Sequence, residues 1–521
     1  MRVVCITAEC EPWAKTGGLG DVVDALARAI GALGSRPPDA NRVVAPQVWV
    51  GTGAVMGPPP EGLEGLIDKP VEVFLPRYRG MPVPDGATST PLEVPDPTAP
   101  HGVTTVNLVE FDADGYRVRL IDHPPAFDRE GFYGDDDGDY PDNGWRFGLL
   151  CRGALEALLG DDRPLDVVHL HDWQATPAAL MRDQMYAAYP RIHGAAMLLT
   201  IHNLAYQGWL SREQMAGFAT ADEISNLVSP HADGVLLLRE GIKRVELVNT
   251  VSPTYATEVL TPERGMGMDK VLSGLGHRFG GILNGLDVKV WNPATDASLA
   301  SPYSRGRMNG KAECRRALLA ELDFDPADDR AVIGVIGRLD PQKGFDLLAE
   351  AAPDLLVEGA RIVALGTGDP RIMADLKKLA TRRRDRVAVV ERFDRSLARR
   401  IYAGADLFLM PSRSEPCGQG QMIAMRYGTP PIVHRTGGLA DTVVDADALP
   451  EEGTGYMFDE PTTAALLEAC RRAMSHFHAG GYNWQEIQDR GMVIDWSWES
   501  GPAEQYAASY QRAVSLRRER S

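Results

Sequence analysis

Apolar residues along the chain fall into two repeating arrangements: short unbroken runs, and longer stretches in which they recur every third or fourth position. The runs read as buried strands of a parallel sheet and the stretches as helices with one apolar face. In the first half, strands are predicted at about Val3 to Thr7, Val71 to Leu75, Val167 to His171, Met197 to Ile201 and Leu247 to Ser252. After the first of these, Leu19, Val22, Val23, Leu26, Ala27, Ile30 and Leu33 share one helical face. The second half repeats the plan more regularly, with strands at Val332 to Ile336, Ile362 to Leu365, Val387 to Val390, Leu407 to Met410 and Pro431 to Val433. Strands alternating with helices imply an α/β protein with doubly wound parallel sheets.

The polar stretches divide these halves. Asn284 to Gly310 is rich in Asn, Pro, Ser and Gly and reads as a linker. Two proline-rich stretches, an insertion at 37–69 containing Pro58-Pro59-Pro60 and a segment from Pro82 to Pro100, read as surface loops. Ser500 to Leu516 is helix-like. The acidic run Asp135-Asp136-Asp137-Gly138-Asp139 lies in a polar loop with no strand leading in, so it reads as a solvated charge run rather than a metal site.

Composition narrows the function classes. The chain has 521 residues, too many for one core, and its 54 basic and 72 acidic side chains leave a net charge of −18. That charge disfavours nucleic acid and anionic membranes as partners. The six cysteines are scattered without ligand or disulfide-framework spacing, which fits reduced thiols in a cytoplasm. The N-terminal apolar stretch is interrupted by Glu9, Glu11, Pro12 and Lys15, unlike a secretion signal, and nowhere is there an apolar run long enough to span a bilayer.

Three segments carry candidate chemistry. The string KTGGLGD, Lys15 to Asp21, is a glycine turn opening a helix soon after a strand. Unpaired N–H groups at such a helix start attract phosphate, Gly17 and Gly18 admit a close approach, and Lys15 adds a positive charge. Alone, the same string is also what a tight α/β connection looks like. Downstream, Arg338 and Lys343 occupy the turn after the Val332 to Ile336 strand, where they suit a diphosphate or form an ordinary solvated pair. The third segment, Asp406 to Val443, places Glu415 between a buried strand and the glycine-rich helix start Cys417-Gly418-Gln419-Gly420, followed by a strand leading to Thr436-Gly437-Gly438. A carboxylate there accepts hydrogen bonds from sugar hydroxyls, while a helix start takes phosphate.

With HLHDW at His169 to Trp173, IHNLAYQG at Ile201 to Gly208, VSPTYA at Val251 to Ala256 and NGLD at Asn284 to Asp287, these segments closely resemble bacterial glycogen synthases and plant starch synthases, glycosyltransferase family 5, over nearly the whole chain. The resemblance implies the GT-B architecture, two Rossmann-like doubly wound domains facing a deep interdomain cleft. It implies residues 1–295 as the acceptor-side domain, 309–492 as the nucleotide-sugar domain, and 493–521 as a helix crossing back to the first domain. It implies transfer of α-D-glucosyl from ADP-glucose to the non-reducing 4-OH end of an α-1,4-glucan, with retention and release of ADP. No cofactor or metal is expected, and the oligomeric state is left open.

Carried over residue by residue, Lys15, Arg338 and Lys343 contact the diphosphate, helped by N–H groups at Gly18, Gly420 and Gln421. His171 and Glu415 stand at the reaction centre beside the donor glucose, with Asp21 and Asn203 positioning sugar and Thr436, Gly437 and Gly438 completing the site. Phe393 falls where the family has an adenine-stacking tyrosine; a core residue at a strand end is the competing reading. Tyr133, Tyr140, Trp145 and Arg146 match a segment on the acceptor side, where aromatic faces would stack on glucose rings. Ile423 stands where many related GT-B enzymes carry a second glutamate, and with Gln419-Gly420 it departs slightly from the family. A glucan phosphorylase, which needs a pyridoxal-phosphate lysine and a longer chain, a non-catalytic glucan-binding protein, and a synthase with another donor base are the alternatives.

Overall fold

The structure is a computed structural model that describes residues 1–33, 50–51, 54–55, 66–135, 138–216 and 233–520. Most of the 37–69 insertion, including Pro58 to Pro60, lies outside the described residues, as do Asp136 and Asp137 of the acidic run. The described chain divides into two compact units, one made of residues up to 285 together with 501–520, the other of 286–500.

The first unit is built on a nine-stranded sheet. In chain order its strands are β1 (Val3–Ile6), β2 (Val71–Pro76), β3 (Thr88–Pro95), β4 (Val103–Asp112), β5 (Tyr116–Asp122), β6 (Val167–His171), β7 (Ala196–Ile201), β8 (Leu247–Thr250) and β9 (Phe279–Gly281). Their spatial order is β9-β8-β7-β6-β1-β2-β5-β4-β3. From β9 to β5 the pairings are parallel; β4 and β3 then add an antiparallel ribbon at one edge. The parallel strands β1, β2, β6, β7 and β8 are buried throughout, which is why they read as continuous apolar runs. The ribbon corrects the reading of Pro82 to Pro100 as a loop. Pro91 and Pro95 sit on the sheet's last strand, where a missing N–H costs no ladder bond on the open side, and its exposed polar residues hide the strand from an apolar-run search.

The second unit holds six parallel strands, β10 (Val332–Ile336), β11 (Arg361–Leu365), β12 (Val387–Val390), β13 (Leu407–Met410), β14 (Pro431–His434) and β15 (Tyr456–Phe458), ordered β12-β11-β10-β13-β14-β15. Strand alternation supplies both apolar layers. Ile333, Val335, Ile362, Leu407 and Leu409 pack with Leu348, Ala351, Leu355, Leu466 and Ala473 on one face, and Val332, Val363 and Leu365 with Leu318, Leu319, Leu397 and Ile401 on the other.

The stretch 286–310 is not a free linker but part of this unit. Tyr303 is buried and donates to Tyr427 O at 2.9 Å, Asp296 accepts from the Tyr427 hydroxyl at 2.6 Å and pairs with Arg399 at 2.9 Å, and the Arg399 guanidinium lies 4.6 Å from the Trp291 ring centre. Composition identified irregular backbone; these side chains anchor it. The unit boundaries accordingly fall at 285/286 and 500/501, rather than at 295 and 492.

The last helix, Pro502–Arg520, packs within the first unit against β7. Tyr506 and Tyr510 are fully buried, and their hydroxyls meet Asn249 Nδ2 at 3.1 Å and His169 Nδ1 at 3.0 Å.

Candidate active site

Open parallel sheets present ligand-binding loops at the carboxyl ends of their strands, and in each unit the candidate residues lie there.

In the first unit, the loop after β1 is organised by Glu9, a residue the sequence reading did not single out. Its buried carboxylate accepts hydrogen bonds from the Thr16 N–H (2.7 Å), the Thr16 hydroxyl (2.6 Å), the Gly17 N–H (3.1 Å) and the Tyr133 hydroxyl (2.6 Å). Helix Gly18–Gly31 begins immediately afterwards, and a Cβ built at Gly17 or Gly18 meets nothing within 4 Å. Lys15 Nζ bonds Glu11 Oε2 at 3.1 Å and also Asp21 Oδ1. Burial and the neighbouring Glu11 push the Asp21 carboxyl up to about 7, against the opposing pull of Lys15.

At the ends of β6 and β7, His171 is fully buried and its Nδ1 lies 3.0 Å from His202 Nε2. His171 Nε2 has no hydrogen-bond partner among the described residues. The His169 ring centre lies 4.0 Å from that of His171. Burial holds both rings well below the usual histidine range, reinforced by the neighbouring imidazoles, and takes His202 down to about 3. All three are therefore neutral at neutral pH. Asp172, with φ of 57°, occupies the left-handed region and accepts the His202 N–H at 2.7 Å, which ties the β6 end to the β7 end. Asn203 Oδ1 accepts from Ala205 N–H at 3.0 Å in a local turn.

Cys5, His169 and His171 bring ligand atoms within 4.8 Å of one another. Both His169 nitrogens are engaged, with Tyr510 OH at 3.0 Å and Thr200 Oγ1 at 2.7 Å, and burial pushes the Cys5 thiol up to about 12. That chemistry is a hydrogen-bonded core rather than a metal cage.

In the second unit two loops lock together. Lys343 Nζ bonds both carboxylate oxygens of the buried Glu415, at 2.8 and 2.7 Å, and Ser412 Oγ donates to Glu415 Oε2 at 3.0 Å. Gly344 has φ of 72°, and a Cβ there would stand 2.1 Å from Pro411 O, so only glycine allows the approach. Gly438 N–H donates to Glu415 O at 3.1 Å, and a Cβ at Gly437 would stand 1.9 Å from the same oxygen. Arg338 is half exposed, with its Nε bonded to Asp340 at 2.7 Å.

Other expected residues serve the fold more visibly than a ligand. Gly420 starts a helix of 7 residues, Gly420–Arg426, and its missing Cβ makes room for Phe408, Met410 and Tyr402. The buried Gln421 amide donates to Cys417 O, Gly418 O and Thr442 Oγ1. Thr436 is buried as the N-cap residue of helix Gly437–Thr442, with no side-chain capping bond. Phe393 is 80% exposed, which rules out the core reading. Arg146 is fully buried among Phe127, Tyr140 and Phe147, Tyr140 is covered by Arg129 and Arg146, and Trp145 donates to Asp96 at 3.2 Å. Arg146 braces the loop, and Tyr140 is covered by guanidinium groups rather than offering the free stacking face expected.

Comparison with known proteins identifies the family. The family model described as starch synthase catalytic domain matches residues 2–48 and 44–274, and the model for glycosyl transferases group 1 matches 330–476. A glycogen synthase of Anaeromyxobacter dehalogenans (strain 2CP-C) is 40% identical over 515 residues, covering 98% of this chain and 99% of its own. A glycogen synthase of Paracidovorax citrulli (strain AAC00-1) is 37% identical over 527 residues, 98% of this chain and 95% of its own. Among solved structures, the catalytic domain of starch synthase IV from Arabidopsis thaliana, bound to ADP and acarbose, superposes with a TM-score of 0.83 at 33% identity, covering 99% of both chains. Sucrose-phosphate synthase from Thermosynechococcus elongatus, at 17% identity and a TM-score of 0.58, shares the fold.

Proposed function

The chain belongs to the family of bacterial glycogen synthases and plant starch synthases, GT-B glucosyltransferases that extend a glucan, and from that premise we propose that its donor is ADP-glucose and that transfer retains the α configuration. The observation that carries this reading is the Lys343–Glu415 pair, a buried carboxylate and an ammonium held by two interlocked loops at the carboxyl ends of β10 and β13. Sugar hydroxyls need an acceptor and a departing diphosphate needs cations, and one pair supplies both.

In this reading Lys15, Arg338 and Lys343, with the N–H groups of Gly18, Gly420 and Gln421, neutralise the leaving diphosphate without a metal. Glu415 orients the glucosyl hydroxyls. The unpartnered Nε2 of His171 meets a further donor hydroxyl, which repays the roughly 1–3 kcal/mol that an unsatisfied buried polar atom costs. Asp21 and Asn203 hold the sugar, Thr436, Gly437 and Gly438 shape the loop around Glu415, and the exposed face of Phe393 stacks on the base. The acceptor 4-OH attacks from the face the diphosphate leaves, and the departing phosphate oxygen takes its proton. The neutral histidine set supports this, because an imidazole that stays uncharged hydrogen-bonds sugar without repelling an oxocarbenium-like centre.

The acceptor is an α-1,4-glucan. We place the protein in the cytoplasm, in keeping with its bacterial relatives, six cysteines that form no disulfide, and the lack of any helix among the described residues long and apolar enough to cross a membrane.

The test is glucose incorporation into glycogen from ADP-glucose and UDP-glucose in parallel, with and without EDTA. ADP-glucose preference with EDTA-insensitive turnover is expected; a UDP-glucose preference would overturn the donor assignment, and loss of turnover in EDTA would overturn the metal-free one.

A further inference from the structure

Two of the bonds that hold the loop carrying Glu415 fall on the backbone carbonyls of Glu415 and Ser412. Gly438 N–H takes Glu415 O, a bond any residue's main chain can make, whereas Ser412 O is taken by a side chain, the Nδ1–H of His434 at 2.7 Å. A carbonyl oxygen only accepts, so Nδ1 is the donor in this bond, the shorter of the ring's two contacts with carbonyl oxygens. His434 ends β14, next to β13 in the sheet, where Met410 pairs with Val433, and the Ser412 loop leaves β13 directly beside it. The ring is 2% exposed, its centre lies 5.5 Å from that of Phe458, and Nε2 lies 3.2 Å from Asp459 O. The imidazole therefore bridges two strand ends and has one orientation. The same Ser412 whose carbonyl it holds donates its hydroxyl to Glu415 Oε2 at 3.0 Å.

We propose that His434 is a positioning residue for glucosyl transfer: it fixes the Ser412 backbone, and through the Ser412 hydroxyl it fixes the rotamer of the Glu415 carboxylate. The inference rests on the reading above that Glu415 meets the donor sugar. Without the Nδ1–H bond, the Ser412–Arg413 peptide keeps only the Arg413 N–H bond to Gln342 O at 2.8 Å, the Ser412 hydroxyl has a less fixed origin, and Lys343 becomes the main group directing Glu415. Reaction-centre groups tolerate little displacement, so the loss falls on turnover more than on donor binding.

Two variants separate the bond from the bulk. H434F keeps the ring contact with Phe458 and removes the donor; H434N keeps a donor near the Nδ1 position and removes the ring. For H434F we expect kcat about tenfold lower with donor KM within about twofold of wild type, and for H434N kcat restored to within about threefold. Should H434F not fold, H434A takes its place with the same expected pattern. A merely structural role predicts instead that kcat follows thermal stability in both variants, with no rescue by H434N. Wild-type turnover in folded H434F, or equal losses in H434F and H434N, would overturn the inference. An inactive wild-type protein would overturn the proposed function itself, and the parallel wild-type assay tells the two apart.

Discussion

Replacing Lys343 by Met and Glu415 by Gln, singly and together, separates what the pair does for stability from what it does for chemistry. The Glu415 side chain is 6% exposed, and Lys343 provides two of its three described hydrogen bonds. K343M leaves a buried carboxylate with Ser412 alone. Breaking a fully buried pair costs about 3–5 kcal/mol. Lys343 is itself 27% exposed, so water reaches its side of the pair and about 2–3 kcal/mol is the better figure here. For a unit of this size that lowers Tm by about 5–10 °C. E415Q keeps the volume and removes the charge, and the double variant removes both charges. Thermal unfolding should therefore show the double variant more stable than K343M, with a coupling energy of about 1–2 kcal/mol. Turnover should not follow. E415Q should lose about a thousandfold in kcat with donor KM little changed, K343M should raise donor KM as well as lower kcat, and the double variant should be as inactive as the worse single. Folded E415Q with turnover within tenfold of wild type would refute the placement of Glu415 at the reaction centre. Additive stability losses would refute the compensation argument.

The remaining expectations concern the other candidate residues. Burial depresses His169, His171 and His202 below the unfolded value of about 6.5, so the stability they contribute is fully present above that pH. It is lost on acidification from about 6.5 down to about 3 for His202, with a slope of up to about 1.4 kcal/mol per pH unit per histidine. Histidine ring NMR should show these three neutral at pH 5.5, and titration of His171 near 6.5 would contradict it. F393A should raise donor KM several-fold without lowering Tm, because the ring is 80% exposed, and F393Y should restore binding; a lowered Tm would return Phe393 to the core reading. K15M should lower turnover by orders of magnitude with a smaller Tm loss than K343M, since its partners Glu11 and Asp21 are 18% and 24% exposed where Glu415 is 6%.

What the sequence makes legible follows from how local the cause is. The strands of the second unit were readable because sheets covered on both faces need unbroken apolar runs, as in Val332–Ile336 and Leu407–Met410. The Thr88–Pro95 strand was not, because an edge strand with prolines and exposed threonines carries no such run. The stretch 286–310 read as a linker because its anchors, Trp291, Asp296 and Tyr303, find partners on helices a hundred residues downstream. For the candidate site, Glu415 and Lys343 stood out because each follows a strand in a glycine-marked loop, and His171 because it lies in the string HLHDW that the family resemblance places beside the donor glucose. Glu9, His202, Ser412 and His434 did not. Their place depends on tertiary pairing, as with Glu9 to Tyr133 and His434 to Ser412, which no spacing within one segment reveals. The glycines at 344, 437 and 438 were visible as turn residues, whereas the reason for them, backbone approaches to Pro411, Glu415 and Cys417, needed three dimensions.

The central claim is best tested by following ADP release from ADP-glucose with glycogen present and absent, while measuring labelled glucose entering the polymer. Glycogen-dependent release that matches incorporation one for one is the expected result. Release without incorporation, or equal release without glycogen, would contradict a glucan synthase and leave a hydrolase or a binding protein in its place.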